Sequence, residues 1–173
     1  GSSANLLMLY ALIELGRLKA GDKVVVPALS WATDLAPVVQ LGLQPVLCDC
    51  NLKDLSIDIN HLEQLMLTDK PKALILVSVL GLVPEMEKIV EVCKNNNIIL
   101  LEDACESLGS EYKGDKLGTF GLCSSFSTYF GHHLSTIEGG MVCTDDDEIA
   151  NVLKSLRSHG WDRDMDKASR DKL

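Results

Sequence analysis

Ala73-Leu74-Ile75-Leu76-Val77 is an uninterrupted apolar run of strand length. A strand with one wet face alternates apolar and polar residues, so a run without alternation reads as a strand buried on both faces. Working outward, residues 84–95 carry a helical period and lead to a second buried strand at 98–102. In the other direction, a helix at 60–67 is preceded by a strand at 45–49, a helix at 31–41 and a strand at 23–27. Further helices are expected at 3–15 and 145–158, each started by polar residues or ended near glycine or asparagine. Residues 112–116 predict a hairpin around a Gly114-Asp115 turn, followed by strands at 122–127 and 140–144. Buried strands alternating with amphipathic helices predict an α/β fold, a mainly parallel mixed sheet with helices on both faces.

The 173 residues, 46% of them hydrophobic, suffice for the core of about one domain. A net charge of -9 argues against a nucleic-acid surface, where a basic stripe is expected. No apolar run reaches the roughly 20 residues of a membrane span, and no signal peptide is recognisable, so a cytoplasmic protein without a membrane partner is expected. None of the six cysteines forms a C-x-x-C pair, and free thiols are expected rather than disulfides or metal ligands. The acidic run Asp145-Asp146-Asp147-Glu148 lacks spaced ligands and a turn glycine, and reads as the start of a helix rather than a calcium loop.

Candidate chemistry lies in five separated places. Gly1-Ser2-Ser3-Ala4 opens a helix, where free backbone N–H groups suit an anion. Trp31 follows a strand in Ser30-Trp31-Ala32-Thr33, a place more often given to core. Asp103 ends the apolar strand at 98–102, and a carboxylate there needs a partner; three residues on, Glu106 has the spacing of a helix-capping pair with it. Finally, Ser125-Phe126-Ser127-Thr128-Tyr129-Phe130-Gly131-His132-His133 leads toward Glu138-Gly139-Gly140.

In their order and spacing these segments resemble the large domain of fold-type-I, pyridoxal-phosphate-dependent nucleotide-sugar aminotransferases of the DegT type, over residues 1 to about 163. The match is nearest to the histidine-bearing branch, the GDP-4-keto-6-deoxymannose 3-dehydratases. The resemblance implies that Ser2, Ser3 and Ser127 hold the cofactor phosphate and that Trp31 stacks on the pyridine face. It implies that Asp103 bonds the pyridinium nitrogen and that Glu106 lies near the ring hydroxyl. His132 stands where the aminotransferases carry the lysine that tethers the cofactor. A lysine amine holds pyridoxal phosphate as an imine; an imidazole forms no stable imine and can only move protons. His133 replaces a family asparagine or threonine and is expected to be structural.

The implied function is a 3-dehydratase of a nucleotide-linked 4-keto-6-deoxyhexose that uses pyridoxamine phosphate. His132 removes a proton from the cofactor's methylene carbon, the sugar's 3-hydroxyl leaves, and L-glutamate returns the aldehyde cofactor to the amine. An iron-sulfur CDP-4-keto-6-deoxyglucose 3-dehydrase also has the histidine. Cys105 matches its first cluster cysteine, but residues 157–173 contain none of the later ones. A non-catalytic cofactor or nucleotide-sugar binding module is the remaining alternative, against which the retained Trp31, Asp103, Glu106 and Ser127 weigh. Both ends look cut: residues 1–163 are expected to be the cofactor-binding domain truncated at its start, and 164–173 the charged beginning of a further segment. A homodimer is implied by the resemblance alone.

Overall fold

The buried runs become the strands of one sheet. The computed structural model describes residues 1–171; Lys172 and Leu173, the end of the segment expected at 164–173, lie outside the described residues. In chain order the elements are α1 (Ser2–Glu14), β1 (Lys23–Pro27), α2 (Ala32–Gln40), β2 (Gln44–Cys48), α3 (Ile59–Thr68) and β3 (Ala73–Val77). A 3-10 turn (Val79–Gly81) precedes α4 (Met86–Asn95) and β4 (Ile99–Asp103). A small hairpin, β5 (Glu111–Tyr112) and β6 (Asp115–Lys116), then leads to β7 (Cys123–Ser127), β8 (Gly140–Cys143), α5 (Asp147–Leu156) and α6 (Lys167–Arg170).

The sheet order is β2-β1-β3-β4-β7-β8, parallel throughout except that β8 runs against β7. Because side chains alternate along a strand, the sheet feeds two cores. Val24, Val26, Ile75, Val77, Leu101 and Cys123 face a layer containing Leu9 and Leu12 of α1, Val38 of α2 and Ile149 of α5. Val25, Leu74, Leu76 and Leu100 face Leu62 and Leu65 of α3 and Ile89 and Cys93 of α4. Helices therefore cover both faces, as the missing alternation in Ala73–Val77 requires.

The same alternation sends Glu102 and Asp103 to opposite faces at the end of β4. Glu102 is buried, and its carboxylate accepts the backbone N–H groups of Gly118, Phe120 and Gly121, each at 2.7 Å. One side chain thus folds the loop between the hairpin and β7 against the end of β4. The hairpin turn differs from the expected Gly114-Asp115. Its central residues are Lys113 and Gly114, both in the left-handed region (φ 53° and 96°), which matches the twist of a two-residue hairpin and leaves Asp115 to pair with Tyr112. The acidic run does start a helix: Asp146 caps α5 by accepting from Glu148 and Ile149, and its carboxylate pairs with Arg17 at 2.7 Å. Before α6, Met165 is buried and the Asp166 N–H donates to Asn151 Oδ1 of α5.

Replacing Glu102 by alanine leaves three backbone donors without their acceptor. We expect Glu102→Ala to lower unfolding stability by about 3 kcal/mol or more, seen as a drop in the urea midpoint at unchanged slope.

Candidate functional site

A crevice opens where strand order reverses, between β1, whose successor β2 lies on one side, and β3, which lies on the other. The β1–β3 pairing holds only Val24 to Ala73 and Val25 to Leu74, although β3 and β4 pair along five residues. At the carboxyl ends of these strands the described residues form one large cavity, onto which Ser2, Ser3, Trp31, Asp103, Glu106, Ser127 and His132 all open. The structure therefore brings together every site residue expected from the sequence.

Each arrives for a local reason. Ser2 and Ser3 start α1, beside the end of β7. A Cβ added to Gly1 would lie 2.9 Å from Cys105 Sγ and 3.4 Å from Ser127 Oγ, so α1 begins in close approach to Ser127. Gly140 makes the same approach possible from the other side, since a Cβ there would meet the Gly1 nitrogen and the Phe126 carbonyl oxygen at 2.9 Å. Free N–H groups at a helix start with a neighbouring serine hydroxyl form a phosphate cradle. Trp31 is 74% exposed, so the core reading of this tryptophan fails and its ring is free to stack on a planar ligand.

Asp103 is buried at the floor of the cavity. Its Oδ1 accepts the Cys105 N–H at 2.9 Å, and its Oδ2 accepts Asn5 Nδ2 at 2.6 Å. The first bond makes a tight turn after β4 in place of the helix start that an Asp103/Glu106 capping pair would need. Glu106 instead accepts the Leu80 N–H at 2.6 Å. Leu80 has φ 54°, a left-handed conformation that costs a non-glycine residue about 1–2 kcal/mol, so the Glu106 carboxylate helps hold a strained turn over the cavity.

His132 sits near the tip of an extension of β7 and β8, closed by Thr128 N–H to Gly139 O and Phe130 N–H to Ile137 O. Its own N–H donates to Tyr129 O at 3.0 Å, and its ring meets that of Tyr129 edge-on, with centroids 5.9 Å apart. Its imidazole is thereby held at the cavity wall. His133, expected to be structural, is exposed on the same wall.

Two polar residues of the floor went unmarked in the sequence. Asn5 and Asp34 are buried, and Asn5 Nδ2 also lies 3.0 Å from Asp34 Oδ1. Burial, the charge of Asp103 and the hydrogen bond with Asp103 push the Asp34 carboxyl up to about 9, with Glu106 adding to the rise and the Trp31 backbone opposing it. Helical spacing carried a usable signal: Asn5 shares its stripe with Met8, Leu9 and Leu12, and Asp34 with Pro37 and Val38. A polar residue on the apolar stripe of a helix needs a buried partner.

Among known proteins, the model of the DegT/DnrJ/EryC1/StrS aminotransferase family matches residues 1–173. The GDP-4-keto-6-deoxy-D-mannose 3-dehydratase of Escherichia coli O55:H7 is 42% identical over 172 residues, covering 98% of this chain and 44% of that protein. A structure of the E. coli enzyme with bound hydrated pyridoxal phosphate superposes with a TM-score of 0.90 at 43% identity, over 96% of this chain and 43% of the other. A structure of a GDP-4-keto-6-deoxymannose 3-dehydratase with a trapped pyridoxal-phosphate–glutamate geminal diamine gives 0.91 at 42% identity, over 96% and 43%. The chain thus spans less than half the length of these relatives. The residues present fit that cofactor: a helix-start cradle suits its phosphate, an exposed tryptophan its ring, and a buried carboxylate its ring nitrogen.

Cys105 beside the cradle is held as a thiol, because burial first and the charge of Asp103 next push it up to about 12. Alkylation of the native protein with iodoacetamide near pH 7.5 is expected to modify exposed Cys143 at least about tenfold faster than Cys105, with the difference lost on unfolding.

Proposed function

Because the chain belongs to the DegT/DnrJ/EryC1/StrS aminotransferase family, we propose that the protein is a 3-dehydratase of a nucleotide-linked 4-keto-6-deoxyhexose using pyridoxamine phosphate that is not covalently tethered. The observation that carries the proposal is His132, an imidazole lining the same cavity as Asp103, where the aminotransferases place their lysine. The identity with the E. coli 3-dehydratase supports it, and makes a GDP-linked sugar the substrate to test first. The trapped glutamate adduct in a structure of a GDP-4-keto-6-deoxymannose 3-dehydratase supports L-glutamate as the amine donor.

When bound, pyridoxamine phosphate supplies a primary amine for the substrate's keto carbon and a ring that withdraws electrons. The residues of this chain do the rest. Ser2, Ser3 and Ser127 hold the phosphate, and Trp31 covers a ring face. Asp103, buried at the end of β4, would hold a proton on the ring nitrogen and so keep the ring electron-poor. The His132 imidazole would take a proton from the carbon bearing the amine and deliver one to the departing 3-hydroxyl oxygen. Glu106, fixed by the Leu80 N–H, would bound the side of the ring that carries its hydroxyl. A homodimer belongs to the same proposal, as does the assignment of residues 1–163 to the cofactor-binding domain.

With pyridoxal phosphate added to the full-length protein, the absorbance of a free aldehyde is expected, and L-glutamate should convert it to that of the amine. His132→Lys should become covalently linked to the cofactor by borohydride, which the parent protein is not. His132→Asn should bind pyridoxal phosphate within a few-fold of the parent while losing about 10²–10⁴-fold in 3-dehydration. A parent protein that borohydride links to the cofactor would contradict the proposal.

A further inference from the structure

Asp34 has no part in the chemistry above, yet its side chain is fully buried and borders the same cavity. One amide group, Asn5 Nδ2, lies 3.0 Å from Asp34 Oδ1 and 2.6 Å from Asp103 Oδ2, so two carboxyls from different elements are drawn to one point. Their surroundings differ. Asp103 also accepts the Cys105 N–H and so has two donors, whereas Asp34 Oδ2 meets no donor at all. Two carboxylates in so dry a place repel. One amide nevertheless holds both within hydrogen-bonding distance, and the repulsion is relieved once one of them bears a proton. An oxygen that no donor faces is where that proton fits.

We propose that Asp34 is a protonated positioning residue of the cofactor site, held beside Asp103 by the shared Asn5 amide so that the Asp103 carboxylate keeps its aim at the ring nitrogen. This deepens the cofactor assignment made above and rests on it, but it does not depend on dehydration. Asp34, Asn5 and Asp103 form a cluster in which the one Asn5 amide group donates to an oxygen of each carboxyl.

The electrostatic surroundings agree. The charged groups acting on Asp34 are Asp103 on β4 and Glu106 just after it, both acidic. Of the elements packed on α2, α1 presents the neutral Asn5. β1 carries Lys23 at its far end, paired with Asp69, and β2 carries Cys48, a thiol pushed up to about 12 by burial. No cation of these elements relieves the acid, and burial raises Asp34 to about 9.

The sign of the consequence follows from linkage. The folded state keeps a proton that the unfolded chain releases near pH 4, so stability falls as pH rises from about 4 toward 9. Asparagine cannot titrate and can still accept from Asn5.

The test compares the parent protein with Asp34→Asn and Asp34→Ala. Urea unfolding without cofactor, from pH 5 to 9, should show the unfolding constant of the parent rising relative to that of Asp34→Asn by up to about tenfold per pH unit. Titrated with pyridoxal phosphate at pH 7 and followed by absorbance, Asp34→Asn should bind within about threefold of the parent, and Asp34→Ala about tenfold or more weakly. An equal pH slope in parent and Asp34→Asn would overturn the proposal, as would an asparagine variant that binds as weakly as the alanine one. If the parent binds no pyridoxal phosphate, the cofactor assignment fails, while the pH slope still decides whether Asp34 holds a proton. Should Asp34→Ala not fold, the comparison of parent with Asp34→Asn decides the matter alone.

Discussion

A carboxylate cannot be buried at the end of an apolar strand unless donors reach it, and Asp103 draws its donors from two directions. The Cys105 N–H comes from the turn that follows β4, and Asn5 comes from α1, nearly a hundred residues earlier in the chain. The second bond ties the first helix to the middle of the sheet, and with it the start of α1 to the end of β7. Once α1 is so placed, Ser2 and Ser3 stand beside Ser127, and the glycines at positions 1 and 140 become necessary because a Cβ on either would strike its neighbour. The phosphate cradle and the floor carboxylate are thus consequences of one docking event.

Glu102 and Asp103 divide structure from chemistry at adjacent positions. The pleat sends them to opposite faces. Glu102 spends its two oxygens on three backbone N–H groups and closes a loop. Asp103 keeps an edge on the cavity and is held by only two donors. A carboxylate saturated by the backbone is a structural clamp, whereas one partly satisfied beside an open crevice can receive a cation such as a protonated ring nitrogen.

The centre of the sheet was legible in the sequence because β1, β3 and β4 are buried on both faces, so each appears as a short apolar run. Ala73–Val77 and Lys23–Pro27 form over the residues expected. The hairpin turn was displaced by one residue because Gly114 serves as the second central residue, which obliges Lys113 to take a positive φ. Site residues at strand ends were legible where a motif surrounds them. Asn5 and Asp34 were not, since a polar residue on a helix stripe reveals its purpose only when the facing element is known. Nor could spacing tell that Glu106 would bond Leu80 across a different loop rather than cap a helix.

The central claim is that pyridoxal phosphate lies over Asp103 without a covalent bond to the chain. A crystal structure of the full-length protein soaked with pyridoxal phosphate tests it most directly. The account predicts the ring nitrogen within hydrogen-bonding distance of the Asp103 carboxylate, the phosphate against Ser2, Ser3 and Ser127, and the aldehyde carbon near His132 but not bonded to it. Density for the ring away from Asp103, or continuous with a side chain of the protein, would contradict it.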